Sequence, residues 1–179
     1  MAAPSEKTLQ SLSGKWTLNK ASSDDFIQIL ALQGVNILIR KAASAASVHQ
    51  SITQPDPQHI EAVQSVTAGK IPGTTEKYIL DWEWRSNNDP LFGEVQGRSR
   101  WLGGEQAKRL EIGDGEWIEG DSEGKIMHAQ GKAANGKWEA DHLWGFEIVD
   151  GERKHTRRAR VKNDQGKELK VKMVYDFEG

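Results

Sequence analysis

Apolar and polar side chains alternate along most of the chain, which predicts β-strands with one face turned toward a core. Residues 76–86 are the clearest case, because Tyr78, Leu80, Trp82 and Trp84 alternate there with charged residues. Turn-forming residues recur at intervals of about 10 to 15 residues, as in an antiparallel meander. Ten strands are predicted, at residues 14–19, 46–54, 58–67, 74–86, 91–102, 107–113, 116–131, 137–148, 153–162 and 168–177.

A helical stretch interrupts this pattern directly after the first strand. Four apolar residues at helical spacing indicate a first helix: Phe26, Ile29, Leu30 and Leu32. Ser22 or Ser23 can cap this helix, and Gly34 can end it. A second short helix is predicted over about residues 36–45.

A ten-stranded antiparallel up-and-down β-barrel accounts for this order of elements. Its interior is too wide to be filled by its own side chains, and a helix pair after the first strand would cover one end as a lid. Leu30 and Leu32 are then expected to face the barrel mouth. The alternative is a packed β-sandwich whose helix pair covers a sheet edge. Residues 1–11 are interpreted as an N-terminal extension, and residues 12–179 as a single barrel domain.

Composition limits the environment and the partners of the protein. The chain has no cysteine, which excludes disulfides and thiolate metal sites. It also lacks an apolar leader and any long apolar run, so we expect a cytoplasmic protein without an integral membrane segment. The net charge of −2 disfavours a nucleic-acid partner. A homodimer is left open.

Both ends of the chain resemble the fatty-acid-binding proteins of the calycin group. That family begins with a G-x-W strand, a D-D-x helix, an A-L-G-V turn and an R-K-x-A helix. The matching segments here are "GKW" at 14–16, "DDF" at 24–26, "ALQGV" at 31–35 and "IRKAASAAS" at 39–47, and "KVKMVYDFEG" at 170–179 is similar to the family's last strand. Residues 80–85 and 93–101 also resemble a group of lipocalin-like proteins from filamentous fungi.

The resemblance implies a polar anchor inside the barrel. In the family, an R-x-Y on the last strand and an arginine from a neighbouring strand hold the ligand carboxylate. Tyr175 matches the tyrosine, whereas Met173 stands in place of the arginine. Arg157 is the candidate for the other arginine, or Arg158 if the strand register differs by one residue. The loss of one cation implies a less acidic, more aromatic ligand, such as a polyketide or terpenoid.

The alternation also predicts which side chains line the cavity. Gly93 and Gly97 lie on inward positions and leave volume unfilled. The predicted ligand-binding residues are Tyr78, Trp82, Trp84, Val95, Trp101, Trp138, His142, Trp144, Phe146, Arg157, Met173 and Tyr175. For Trp82, Trp84 and Trp144, ordinary core packing is an equal alternative. For His142, the alternative is an interior histidine with satisfied hydrogen bonds.

Two functions fit these residues. The first is a binding or carrier protein for a small hydrophobic molecule. The second is a cofactor-free cyclase or isomerase of natural-product biosynthesis, in which His142, Tyr175 and Arg157 polarise a carbonyl or move one proton. A purely structural role is a third alternative. No phosphate loop, nucleophile elbow or cysteine nucleophile is present. A zinc site at His142 and His155 would lack a third ligand, so we expect neither metal nor cofactor.

Overall fold

The structure is a computed structural model, and it describes residues 1–67, 73–112, 117 and 121–179. The strands are Gly14–Leu18 (β1), Val48–Asp56 (β2), His59–Val66 (β3), Thr74–Ile79 (β4), Arg85–Asp89 (β5), Gly93–Gly103 (β6), Lys125–Ala133 (β7), Trp138–Val149 (β8), Glu152–Asn163 (β9) and Glu168–Phe177 (β10). The α-helices are Ile27–Leu32 (α1), Ile37–Ala45 (α2) and Gly104–Lys108 (α3), and a 3-10 helix spans Asp121–Gly124. None of these helices, in the part of the chain that is described, is long and apolar enough to cross a membrane.

All ten strands belong to one antiparallel sheet, in the order β4-β3-β2-β1-β10-β9-β8-β7-β6-β5. The two edges come together at Ser99 of β6. Its carbonyl oxygen accepts a hydrogen bond from the Trp82 amide at 2.9 Å, and its hydroxyl donates to the Ile79 carbonyl at 3.0 Å. The result is the nearly closed up-and-down barrel with a helix pair after its first strand that the sequence predicts, and it rules out two packed sheets.

Three predicted strands differ from the structure. The segment at 74–86 is divided into β4 and β5, because Trp82 adopts a left-handed backbone conformation with a φ of 67°. The segment predicted as a strand at 107–113 contains the end of α3 and a loop as far as residue 112. Of the segment predicted at 116–131, only β7 is a strand within the described residues. Residue 113 of the first of these two segments and residues 116 and 118–120 of the second lie outside the described residues.

Side-chain hydrogen bonds fix the start of the lid, although not at the predicted cap. Ser23 and Asp24 bind β10 instead, since their side chains accept the Val174 and Lys172 amides at 2.8 and 2.7 Å. The helix α1 therefore begins only at Ile27. Asn36 caps α2 by accepting the Leu38 amide at 2.7 Å. The connection between the two helices turns at Gly34, whose φ is 82°.

The interior contains two apolar clusters separated along the barrel axis. The lower cluster is built around Trp16, Phe146 and Met127, and the upper one joins Ile29 of the lid to Trp138 and Val161. Residues 1–11 also belong to this core, because Ala3 and Leu9 are buried in the lower cluster. The N-terminal segment is thus packed onto the closed end of the barrel.

The outer face of β7 and β8 carries a third, smaller apolar cluster. Ile126 and Leu143 are buried there beneath α3 and the loop that follows it. The Trp117 indole packs against the backbone of Gly145, where any larger side chain would overlap it. This covering explains why several outward-facing residues of β8 and β9 are as buried as the interior.

Candidate functional site

The barrel encloses a cavity of about 790 Å³. Six of its wall residues come from the lid and its caps: Phe26, Ile29, Leu30, Gln33, Ile39 and Ala43. Leu30 therefore faces the cavity as the sequence predicts. Leu32 does not belong to the wall and instead packs against the upper cluster. The space lies between the two apolar clusters and is large enough for a small organic molecule.

Eight of the twelve predicted ligand-binding residues lie on the cavity wall. They are Tyr78, Val95, Trp138, His142, Trp144, Arg157, Met173 and Tyr175. Period-two alternation along β4, β6, β8, β9 and β10 brings these side chains to one interior face. Their position is a property of the structure, whereas their role in binding stays a prediction.

Trp82 and Trp84 are not on this wall, which corrects their predicted placement. The Trp82 ring is stacked between the guanidinium groups of Arg98 and Arg100, at 3.9 and 3.8 Å from its centroid. Trp84 lies over Arg98 and Lys132. These cations occupy the outward positions of β6 and β7. The break at residues 80–84 resets the alternation, so the even positions after it no longer point inward.

Trp101 and Phe146 face the interior but lie below the cavity. Both belong to the lower cluster or pack against it. Phe146 is only 1% exposed and packs edge-on against Trp16, with ring centroids 6.2 Å apart. Their predicted place on the cavity wall is therefore wrong, because both are packed into the core. They support the cavity floor and do not border the open space.

Arg157 is the centre of the polar part of the cavity, and its side chain is 5% exposed. Its guanidinium lies flat over the Trp144 ring, 3.4 Å from the centroid. The Nη2 group donates to Gln50 Oε1 at 2.6 Å, and Nε donates to His155 Nε2 at 3.4 Å. These contacts hold the cation from below and from one side, while its other edge borders the open space.

Three partners of Arg157 were missed by the sequence interpretation: Glu76, Gln50 and His155 as a hydrogen-bond acceptor. Glu76 Oε2 lies 3.8 Å from Arg157 Nη1 and accepts a hydrogen bond from the Tyr78 hydroxyl at 2.8 Å. Glu76 has the same parity as Tyr78, and Gln50 lies between the inward-facing Val48 and Ile52. The alternation along each strand could therefore have placed both side chains on the inward face, but glutamate and glutamine are residue types that are mostly exposed.

The titratable rings around Arg157 are held in their neutral forms. Burial lowers the pKa of His142, an effect that the nearby Glu76 carboxylate opposes and Arg157 reinforces. Burial also holds the pKa of His155 well below its usual value, and the charge of Arg157 adds to this. Burial raises the pKa of Tyr175. It raises that of Tyr78 further, next to Glu76.

Arg158 lies on the opposite side of the wall, so the register alternative does not apply. Its Nε and Nη2 groups bind both carboxylate oxygens of Glu147 at 2.9 Å. Thr156 donates to the same carboxylate at 2.9 Å. This pair is buried beneath the outer covering and makes no contact with the cavity.

The site can therefore hold an apolar molecule and hydrogen-bond one polar group. Arg157 supplies a fixed positive charge, Tyr175 a hydroxyl, and His142 an imidazole that stays neutral at pH 7. Within the described residues, His142 makes no hydrogen bond, and no group of three or more histidine, cysteine or acidic side chains is placed to hold a metal ion. Stacking on Trp144 fixes the position of the cation, a condition for electrostatic stabilisation of developing charge.

Comparison with solved structures defines the class of fold. A REP1-NXSQ fatty acid transporter superposes with a TM-score of 0.57 at 18% identity, covering 94% of this chain and 96% of that one. Fatty-acid-binding protein 1 of Echinococcus granulosus gives 0.58 at 15% identity, over 94% and 98% of the chains. The fluorescent protein UnaG gives 0.61 at 15% identity, over 93% and 97%. The chain has the calycin fold of the fatty-acid-binding proteins.

Two curated proteins are similar along the entire chain, and no protein-family model matches it. The probable pericyclase scpY of Mollisia scopiformis is 28% identical over 183 residues, which cover 99% of this chain and 95% of that protein. The pericyclase pydY of an Acremonium species is 29% identical over 186 residues, covering 100% and 98%. Both relatives are fungal, in keeping with the resemblance of residues 80–85 and 93–101.

Proposed function

We propose that this protein binds a small hydrophobic molecule in the barrel cavity and anchors its polar group at Arg157. The observation that carries the proposal is the cavity of about 790 Å³, in which a mainly apolar wall converges on one cluster of hydrogen-bonding groups. Few, well-placed polar groups in an apolar enclosure are typical of small-molecule sites. The lid formed by α1 and α2 is then the element that opens to admit the ligand.

A second function, a pericyclic ring closure of the bound molecule, is favoured by the two full-length relatives that are named pericyclases. Such a reaction redistributes bonding electrons around a closed ring of atoms, so no atom enters or leaves. It requires neither a nucleophile nor a cofactor. A cavity that holds the reacting carbons in contact supplies orientation, and a hydrogen bond to a conjugated carbonyl stabilises charge that builds up during bond formation.

The residues around Arg157 have separate tasks under this proposal. Arg157 donates to the carbonyl oxygen of the substrate, and Trp144 beneath it keeps the guanidinium from moving away. His155 and Gln50 hold its Nε and Nη2 groups, so only Nη1 is directed to the ligand. His142, neutral at pH 7, lies on the same wall, and its ring N–H can donate a second hydrogen bond to the substrate.

Binding is tested first with a neutral environment-sensitive dye such as N-phenyl-1-naphthylamine. The native protein should bind the dye, quench tryptophan emission, and release the dye to hydrophobic small molecules. Organic extraction of the purified protein should recover a co-purified lipophile if it is a carrier. Absence of dye binding to the native state would exclude the ligand-binding function.

Catalysis is tested by turnover of a polyene that carries an activating carbonyl, followed by chromatography of the cyclised product. The His142→Ala variant should lower turnover more than it weakens substrate binding, because a hydrogen bond to charge that develops during bond formation acts chiefly in the transition state. A product formed at the uncatalysed rate, with the substrate bound, would leave the protein a carrier.

The proposal also includes a cytoplasmic location, which the cysteine-free composition supports. A fluorescent fusion expressed in the source cells tests it. The oligomeric state bears on access to the lid, and light scattering after size exclusion distinguishes a monomer from a homodimer.

A further inference from the structure

The ionic groups inside the cavity compensate one another. The hydrogen-bonding groups around Arg157 are called here the polar cluster: Gln50, Glu76, Tyr78, His142, His155, Arg157 and Tyr175. Arg157 and Glu76 are its charged side chains, and their nearest atoms are 3.8 Å apart. The other titratable members, His142, His155, Tyr78 and Tyr175, are neutral near pH 7 because burial disfavours their charged forms. The polar cluster therefore has no net charge before any ligand enters.

Charged residues at the rim of the cavity have partners of their own. Lys77 pairs with Glu61, and Arg85 with Asp81. Arg98 donates to Gln130 and stacks on the two outer tryptophans. Asp89 accepts the amides of Leu91 and Phe92 at 2.7 and 3.0 Å. Lys77 and Arg85 are thus balanced by carboxylates, whereas Arg98 and Asp89 carry opposite charges, bind neutral groups and make no hydrogen bond or ion pair with Arg157 or Glu76.

The hydrogen-bonding capacity of Arg157 is nevertheless incomplete. Its Nε and Nη2 groups are engaged by His155 and Gln50, whereas Nη1 faces Glu76 beyond hydrogen-bond distance. Gln50 is 1% exposed and its Nε2 donor has no partner among the described residues. Buried donors without acceptors are unfavourable, so the cluster has donors to spare but no unbalanced positive charge.

From this balance we infer that the cavity selects an uncharged hydrogen-bond acceptor, such as a ketone, ester or amide carbonyl, and discriminates against carboxylates. A ligand carboxylate at Arg157 Nη1 would lie beside the Glu76 carboxylate, and like charges at such a distance repel strongly in a low-dielectric site. A carbonyl oxygen accepts the same hydrogen bond without that repulsion. The inference rests on the proposed ligand-binding function and specifies its ligand class.

Dodecanoic acid and dodecanamide provide a matched pair of probes, since they differ mainly in charge. Each is titrated at about pH 8, where the acid is ionised, to displace N-phenyl-1-naphthylamine from the protein. The native protein should bind the amide about tenfold or more tighter than the acid. Glu76→Gln keeps an acceptor for Tyr78 but removes the charge, so affinity for the acid should rise about tenfold while affinity for the amide changes little.

Glu61→Gln is the control, because Glu61 carries the same charge on the adjacent β3 but pairs with Lys77 and lies outside the cavity wall. It should leave the ratio of the two affinities unchanged. A native protein that prefers the acid, or a Glu76→Gln variant with an unaltered ratio, would overturn the inference while leaving ligand binding intact. If the dye binds but neither probe displaces it, the inference fails while the binding function stands. If the dye itself does not bind, both fail.

Discussion

Arg157 and Arg158 are neighbours on β9, yet they occupy opposite sides of the barrel wall and differ in how completely they are paired. Arg158 forms a two-point ion pair with Glu147, which also accepts a hydrogen bond from Thr156. Arg157 makes single contacts to Gln50 and His155, and its carboxylate partner, Glu76, is 3.8 Å away. Both arginines are buried, so burial alone does not distinguish them.

The difference indicates their roles. Arg158, the outer arginine, binds both carboxylate oxygens of Glu147. Trp117 covers it, with the ring centroid 5.5 Å from the guanidinium carbon. This ion pair makes no contact with the cavity, so its removal should lower the stability of the fold and leave ligand affinity unchanged. The inner arginine keeps a donor directed toward open space, and its removal should affect binding. Incomplete pairing of a buried charge is thus the feature that marks the candidate site.

The largest effect is expected from breaking the outer pair. Arg158→Met leaves the Glu147 carboxylate buried without its counter-ion, which should lower the free energy of unfolding by about 3–5 kcal/mol. Urea unfolding gives the stability, and dye displacement on the folded protein should give an unchanged affinity.

Two controls sharpen this experiment. Lys77→Met removes an ion pair that is largely exposed, so it should change stability by only about 0–1 kcal/mol. The double variant Glu147→Leu/Arg158→Met removes both charges and should recover most of the loss. A double variant as unstable as the sum of its single changes would contradict the interpretation of this pair as an isolated buried ion pair.

Breaking the inner site should change affinity instead. Arg157→Met removes a charged donor to the ligand, and such a bond contributes about 1.5–3 kcal/mol, so affinity for dodecanamide should fall by roughly tenfold to a hundredfold. Tyr175→Phe tests the neighbouring hydroxyl and should weaken binding in the same direction. Titration calorimetry measures both.

Arg160→Met is the matched control, because Arg160 lies on the same strand and pairs with Asp141 on the outer face. Its effect on affinity should be negligible. Equal affinities of the Arg157→Met variant and the native protein would mean that the cavity binds by shape and apolar contact alone.

The covering of the outer face can be tested at Gly145. A Cβ atom here would overlap the Trp117 indole, and the repacking that this forces typically costs about 1–3 kcal/mol. Gly145→Ala should therefore lower the unfolding midpoint. Gly131→Ala on the adjacent β7 is the control, since its nearest neighbours would be 3.9 Å away, and it should be tolerated. Equal stability of the two variants would mean that Trp117 does not pack on Gly145.

The smallest expected effect is a pH dependence of the stability, which comes from His155 next to Arg157. The unfolded chain binds a proton at His155 below about pH 6.5, whereas the folded protein, with the pKa of this histidine lowered by burial, does not. The unfolded state then holds more protons, so stability is fully present above pH 6.5 and falls as the pH drops below it.

The slope from this residue approaches about 1.4 kcal/mol per pH unit, and His142 contributes in the same direction. His155→Leu should remove part of this slope in unfolding experiments between about pH 6.5 and 5. An unchanged slope would mean that His155 titrates alike in both states. Asp141 on the outer face has a lowered pKa despite its burial, held down by hydrogen bonds from His128 and Arg160, and contributes to the pH dependence only in more acidic solution.

The sequence alone determined the helix pair after the first strand and the inward face of the unbroken strands. Period-two alternation fixes which residues share a face. On β9 it favoured Arg157 as the inward residue but left Arg158 as the alternative, and the structure decides for Arg157. The helix pair after β1 was predictable from apolar spacing and from the resemblance of residues 14–47. Eight of the predicted ligand-binding positions reached the cavity wall because they lie on strands without interruption.

Only the tertiary structure decided which inward residues meet and where the alternation stops. Trp82 lies in a turn with a φ of 67°, and the backbone break moves both it and Trp84 to the outer arginines. Gln50 and Glu76 reach Arg157 from β2 and β4, because the closing of the barrel brings distant strands together. Alternation is a local property of one strand, whereas the pairing of a buried charge depends on contacts across the barrel, which no single strand encodes.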